Sequence, residues 1–277
     1  MKRPIAPRGA LQALAGLVHS HRRALTELGH FLLVAALAAA VVVAGTRNLR
    51  YSWQWFRVPR YLFTTGEEGL RAGVLLRGLL VTLQISGLGL LLASVFGLVT
   101  ALFRLSRSYT ANILAQIYLE AVRNTPLLIQ LFLIYFVAAP IIGLSPFWSA
   151  VLALSLFEGA YASEIIRGSI VSIPRHQWES CYSLGLTQAD TYRCVVLPQA
   201  LRRILPPLTG QAVSLVKDSA LVSTIAIFDL TMAGSSTVSD TFLTFEIWFT
   251  VAAVYLVVNG TLSLLSHMLE KKVHLPR

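Results

Sequence analysis

Charge is what this chain lacks most. Asp, Glu, Lys and Arg make up 13% of its 277 residues, roughly half the share usual in a soluble domain. Hydrophobic residues make up 55%. No soluble fold of this length has enough interior to hide that much apolar surface, so lipid is its natural solvent. Cysteine is nearly absent. Cys181 and Cys194 are too few for a disulfide framework and lack metal-ligand spacing, so they read as reduced cytoplasmic residues. The six histidines are scattered, and neither a metal site nor a catalytic pairing with serine or carboxylate emerges. No Gly-x-x-x-x-Gly-Lys-Ser/Thr phosphate loop occurs, so ATP is not bound in the usual way and enzymatic activity is not expected. Acidic residues are also few, 13 against 23 Lys and Arg, for a net charge of +10. Most of the basic residues fall between apolar runs, which suits anionic headgroups and membrane topology and argues against nucleic acid. No small-residue cleavage site follows the first apolar run, so that run reads as a retained helix.

What is present is a series of apolar spans. Residues 1–27 form a basic cytoplasmic arm, and a first span covers about 25–45. Residues 46–72 interleave Tyr51, Trp53, Trp55, Phe56 and Tyr61 with Arg47, Arg50, Arg57 and Arg60, a mixture that belongs at headgroup level. Further spans are expected at about 75–103, 114–139, 146–166, 204–230 and 242–265. The third is interrupted by Glu120, Arg123 and Pro126. The fifth, with Pro206, Pro207, Gly210, Lys217 and Asp218, reads as a broken or water-facing helix. Six crossings put both termini on one side. The basic connection 167–203, together with Arg104, Arg107, Lys271 and Lys272, places that side inside, although the arginines of 46–72 then lie outside.

The connection between the fourth and fifth spans carries a recognisable pattern. Glu179, Ser180 and Cys181 are followed by Gly185 after three residues, and then by Val195, Leu197 and Pro198. This resembles the Glu-Ala-Ala…Gly…hydrophobic-x-Leu-Pro signature of bacterial ABC importer permeases, with both alanines replaced by small residues. The flanking text is similar to the polar amino-acid branch: Glu164 to Gly168 followed by Ser172 to Pro174, Leu197 to Arg202, Arg123 to Gln130, and Leu215 to Ser219. The resemblance covers about residues 75–272. It implies an all-α fold with five spans like the methionine-importer permease, in a core at 73–272, plus an extra helix and aromatic outer loop within 1–72 and a tail at 273–277. It implies inner-membrane location, two ATP-binding cassette subunits that hold the ATP and Mg, and a second permease subunit, a paralogue in preference to a second copy. It also implies a periplasmic or surface-tethered amino-acid-binding protein.

Individual residues take roles within that reading. Segment 176–187 is a helix opened by Pro174, with Trp178, Tyr182 and Leu186 on one face and Gly185 giving close approach or a turn at its end. Arg175, His176 and Glu179 are placed for polar contacts with a partner, and the family implies that this helix docks on the ATPase. Arg123, Thr125 and Pro126 are expected to bend and tie the cytoplasmic start of the third span, with headgroup snorkelling as the rival for Arg123. Glu164 and Arg167 have ion-pair spacing beside Gly168. Glu158 lies within the fourth span, where an ionised carboxylate is expensive. It either receives a positive group of the passing substrate or pairs internally with Lys217. Gln84, Ser86, Gln130, Lys217 and Asp218 complete the candidate path, interhelical hydrogen bonds being the alternative use of the polar ones. Gly87, Gly89 and Gly97 are expected to permit tight packing. A self-contained ion-coupled transporter is the competing reading; it predicts paired broken helices in inverted repeats, of which only one is visible. A membrane scaffold without transport is a third.

Overall fold

The computed structural model describes residues 51–66 and 69–273, together with helical positions 26, 28–34, 36–37, 40 and 44–45. Residues 1–25 of the N-terminal arm lie outside the described residues, as does the tail beyond 273. The chain divides into two units, Met1–Trp53 and Gln54–Arg277. In the first, the described positions between 26 and 45 are helical, within the stretch expected to form the first span.

The second unit opens with a 3-10 turn, a short helix α1 (Pro59–Leu62) and an antiparallel hairpin of β1 (Phe63–Gly66) and β2 (Gly69–Ala72), in the register Phe63 to Ala72. Among the described residues this hairpin is the only sheet, and every regular element after it is helical. The long helix α2 (Val74–Leu105) is followed by α3 (Tyr109–Arg123), started by Ser108, whose hydroxyl accepts from the Ala111 amide at 3.3 Å. A polar break precedes α4 (Leu127–Phe132), which runs through a π-helical stretch, Leu133–Ala138, into α5 (Ala139–Ile142). Then come α6 (Pro146–Val171), α7 (Arg175–Ser183), α8 (Gln188–Thr191) and, after a second π stretch at Tyr192–Val196, α9 (Leu197–Asp218). A 3-10 segment, Ser219–Ile225, separates α9 from α10 (Leu230–Thr241), and α11 (Thr244–Val273) ends the described chain.

Both π stretches run directly up to a proline-bearing helix start, at Pro140 and Pro198. Proline has no amide to give and its ring crowds the carbonyl one turn back, so widening that turn to i→i+5 relieves both problems without ending the helix.

Among the described residues three helices are long and apolar enough to cross a membrane: Val74–Leu105, Pro146–Val171 and Thr244–Met268. The third expected span is not one rod. Its halves, Tyr109–Arg123 and Leu127–Ile142, meet at 107°, because Asn124 to Pro126 cannot continue the α-helical ladder. The fifth is broken as expected, at 219–229, with Ala226 in the left-handed region at φ 60°.

Helices α2 and α6 pack in parallel. Gly89 lies against Leu154, and Gly97 against Gly159, Ala162 and Ser163, so equal steps along one match equal steps along the other. The Ser155 hydroxyl also reaches the Gly89 carbonyl at 3.2 Å. A Cβ at Gly97 would stand 2.8 Å from the Ala162 Cβ, so this position demands glycine for close approach. Gly87, grouped with it from sequence, meets nothing within 4 Å and serves no such purpose. Substituting Gly97→Leu is therefore expected to cost about 1–3 kcal/mol by overpacking. It would read as a lowered unfolding midpoint in detergent, with Gly87→Leu unchanged as control. One buried cluster, around Ile85, Leu131, Val151, Leu154 and Val222, joins α2, α4, α6 and the 3-10 segment. Another, around Ile166, Ile170, Val196, Ala200 and Ile204, joins the other ends of α6 and α9.

Candidate translocation and coupling sites

The coupling segment is shorter than the sequence pattern suggests. Helix α7 stops at Ser183, and Gly185 at φ +76° turns the chain in the left-handed region, where a Cβ would be strained. Leu186 therefore lies beyond the helix. The predicted face of Trp178, Tyr182 and Leu186 does not form: Cys181 is buried and Tyr182 exposed. Arg175, His176, Glu179 and Ser180 lie on the open side, where Arg175 and Glu179 pair at 3.3 Å. That pair is largely exposed and contributes only tenths of a kcal/mol, about 0.3–0.5. The Ser180 hydroxyl donates to the His176 carbonyl at 2.8 Å.

On the other side α7 is seated on the helices it could move. The Trp178 ring meets Tyr192 edge-on at 5.2 Å. Gln199 Nε2 donates to Gln177 Oε1 at 2.5 Å, and Arg203 donates to the Ser172 carbonyl at 2.8 Å. Thus Leu197 and Pro198 open α9, and the neighbouring Gln199 holds α7. The sequence reading gave no role to Gln177, Tyr192 or Gln199; only Tyr192 and Gln199 carried a signal, their closeness to the Leu-Pro pair.

Pro126 and Thr125 form the 107° break, and Gln130 clamps it. Its Nε2 lies 2.6 Å from the Val122 carbonyl, 2.9 Å from that of Thr125 and 2.8 Å from the Thr125 hydroxyl. Gln130 is thereby used structurally. Gln84 is exposed on α2, while the Ser86 hydroxyl is buried without a partner. Arg123 reaches over the Tyr161 ring at 5.8 Å. Glu164 takes Arg167 at 2.9 Å and also Arg104 from α2 at 3.4 Å, so the expected pair is a three-residue bridge between helices. Gly168 meets nothing close.

Glu158 is 1% exposed. Its Oε2 accepts from Gln211 Nε2 of α9 at 2.6 Å, its Oε1 receives no hydrogen bond, and the Asp218 carboxyl is its neighbour. The internal Glu158–Lys217 pair does not form among the described residues; Lys217 is exposed instead. Lysine one residue before Asp218 on a helix points about 100° away, which is why the two residues part company. Gln211, missed from sequence, is the partner actually used. Near the start of α11, Glu246 is also fully buried and accepts the Gln54 amide at 2.6 Å, fastening the chain ahead of α1.

Residues 93–275 fit the family described as binding-protein-dependent transport system inner membrane component. The chain belongs to this family. Among its relatives, the L-cystine transport system permease protein TcyB of Bacillus subtilis (strain 168) is 38% identical over 204 residues, 72% of this chain and 86% of its own. The glutamine transport system permease protein GlnP of Escherichia coli (strain K12) is 37% identical over 72% of this chain and 93% of its own. A solved amino acid ABC transporter, crystallised with histidines, superposes with TM-score 0.68 at 36% identity, covering 72% of this chain and 94% of that one. The inward-facing MetNI methionine transporter superposes with TM-score 0.63 at 20% identity over 73% of this chain and 97% of that one, a likeness of fold. The protein is thus a permease component of an ABC importer, with a type I importer permease fold. Membership implies an ATPase and a substrate-binding protein as partners.

Proposed function

We propose that this permease forms half of the path of a polar amino-acid importer and is driven through α7 by a separate ATPase holding ATP and Mg. The observation that carries the substrate class is Glu158. Two neighbouring carboxyls inside a helix bundle call for a shared proton or a cation between them. Glu158 keeps one oxygen without a donor beside Asp218, and an α-ammonium group supplies that cation as it passes. Arg175, His176, Glu179 and Ser180 form the surface offered to the ATPase, while Gly185, Leu197 and Pro198 fix where that surface ends and α9 begins. Arg123, Thr125, Pro126, Glu164 and Arg167 act at the cytoplasmic gate. A second permease subunit, a paralogue in preference to a second copy, completes the path.

In this reading the chain crosses six times. The N-terminal helix goes outward, α2 returns inward, the bent α3–α5 pair and the broken α9–α10 pair go outward, and α6 and α11 go inward. Both termini are then cytoplasmic in the bacterial inner membrane, and the hairpin is on the outer face.

Reconstitution tests this. Co-expressed with its neighbouring transport genes, the permease is expected to purify with a phosphate-loop ATPase, and amino-acid uptake into proteoliposomes should require ATP and the binding protein. Uptake driven by a proton or sodium gradient with this chain alone would overturn the importer reading. The exposed Cys194 tests orientation. In intact spheroplasts it should react with a membrane-permeant maleimide and resist an impermeant one. Labelling by the impermeant reagent would place 188–196 outside and sink the coupling assignment.

A further inference from the structure

Along α6, Tyr161 follows Glu158 by three residues, roughly 4.5 Å further down the axis. There α3 and α6 enclose a second, separate feature: a polar cavity of about 310 Å³ lined by Leu119, Glu120, Arg123, Asn124 and Tyr161. Its two charged side chains are of opposite sign and belong to the same helix, three residues apart, yet they do not form an ion pair. Glu164, a carboxylate on the facing helix, is already taken by Arg104 and Arg167. Arg123 makes no hydrogen bond or ion pair among the described residues; the Tyr161 ring, 5.8 Å from its guanidinium carbon, is its recorded contact. The Glu120 carboxylate accepts one hydrogen bond, from Asn124 Nδ2 at 2.7 Å, and keeps its other oxygen open.

We propose that Glu120, Arg123 and Tyr161 form a second amino-acid station at the cytoplasmic mouth, which holds the backbone zwitterion of the substrate after it leaves Glu158. The proposal rests on the importer reading above. Side chains three apart on a helix have Cβ atoms about 5–6 Å from each other, so a carboxylate and a guanidinium there can flank a small zwitterion. The planar guanidinium takes the α-carboxylate in a forked pair. The Glu120 carboxylate takes the α-ammonium. The amino-acid side chain is left over the Tyr161 ring and the open rim, so the station reads the backbone and not the identity of the residue. A guanidinium reaching for lipid phosphate is disfavoured by the polar lining, to which Leu119 alone adds an aliphatic side chain.

Occupancy from the inside should delay resetting of the path, so product accumulated in the lumen should slow ATP-driven uptake. The test uses proteoliposomes of the complete complex, scored as the ratio of initial uptake into vesicles preloaded with L-glutamine to that into empty ones. For the wild type this ratio should fall well below one. L-Glutamine methyl ester, which lacks the carboxylate, and N-acetyl-L-glutamine, which lacks the ammonium, should leave it near one. Glu120→Gln and Arg123→Gln should raise the lumenal L-glutamine concentration needed for half-inhibition by roughly tenfold or more, the effect of losing one charge-assisted contact. If either variant fails to assemble, the three-ligand comparison on the wild type decides alone. Equal slowing by all three compounds, or none by L-glutamine, overturns the station, as does a rate set by anionic lipid content with no response to the lumen. Uptake into empty vesicles reports separately on the importer reading, so the two can fail independently.

Discussion

A Trp178→Ala permease, assembled with its ATPase, should still hydrolyse ATP but should import its substrate at least roughly tenfold more slowly, the effect of losing about 1.4 kcal/mol of coupling or more. The reason is mechanical. The open side of α7, proposed to meet the ATPase, is intact in this variant, because Arg175, His176, Glu179 and Ser180 do not depend on the indole. What is lost is the seat. The Trp178 edge contact with Tyr192, together with the Gln177–Gln199 hydrogen bond, ties α7 to the start of α9. Truncating a buried Trp costs about 3–5 kcal/mol, and less at this half-buried position. The double variant with Gln199→Ala should deepen the defect non-additively, since both contacts hold the same joint. Parallel loss of ATP hydrolysis and uptake would mean that the ATPase no longer binds, and would remove the joint from the argument.

The second large effect is expected at Glu158. Glu158→Gln keeps the side chain's shape and can still pair with Gln211, but removes the charge offered to a passing ammonium. Uptake should fall by roughly tenfold to a hundredfold, matching the loss of one charge-assisted hydrogen bond in a dry site. Yield and unfolding midpoint of the complex should stay near wild type. Glu158→Ala separates the two roles still open for this residue. Intact transport with a destabilised complex would make Glu158 a purely internal brace between α6 and α9.

Much of the local geometry of the 174–198 segment was legible in sequence because it depends on local chemistry. Gly185 is needed where the backbone turns left-handed, Pro174 where a helix opens, and Leu197 with Pro198 where another begins; each need is met by a residue type readable one position at a time. The same reasoning placed a break near Pro126 and read 204–230 as interrupted, although its prolines and charged pair lie within the unbroken α9 and the break comes just beyond them. It went wrong where it extended a periodicity across a terminator, carrying the face of α7 past Gly185 to Leu186. Of the two roles left open for Glu158, the internal pair with Lys217 does not form, because the helical turn at that point presents Asp218 and Gln211 instead.

By itself the sequence determined that this chain lives in lipid, and that one basic connection carries a short helix opened by Pro174 and closed at Gly185, the element proposed to meet the ATPase. Composition and local backbone preference suffice for both, because each is a property of a residue and its immediate neighbours. Only the tertiary structure decided that the third span bends by 107° and is clamped by Gln130. Only it decided that Glu164 bridges two arginines from different helices, and that Glu120 and Arg123 are left facing a shared cavity. Those outcomes depend on which helices lie beside each other, and partner choice between distant segments leaves no periodic mark on the chain.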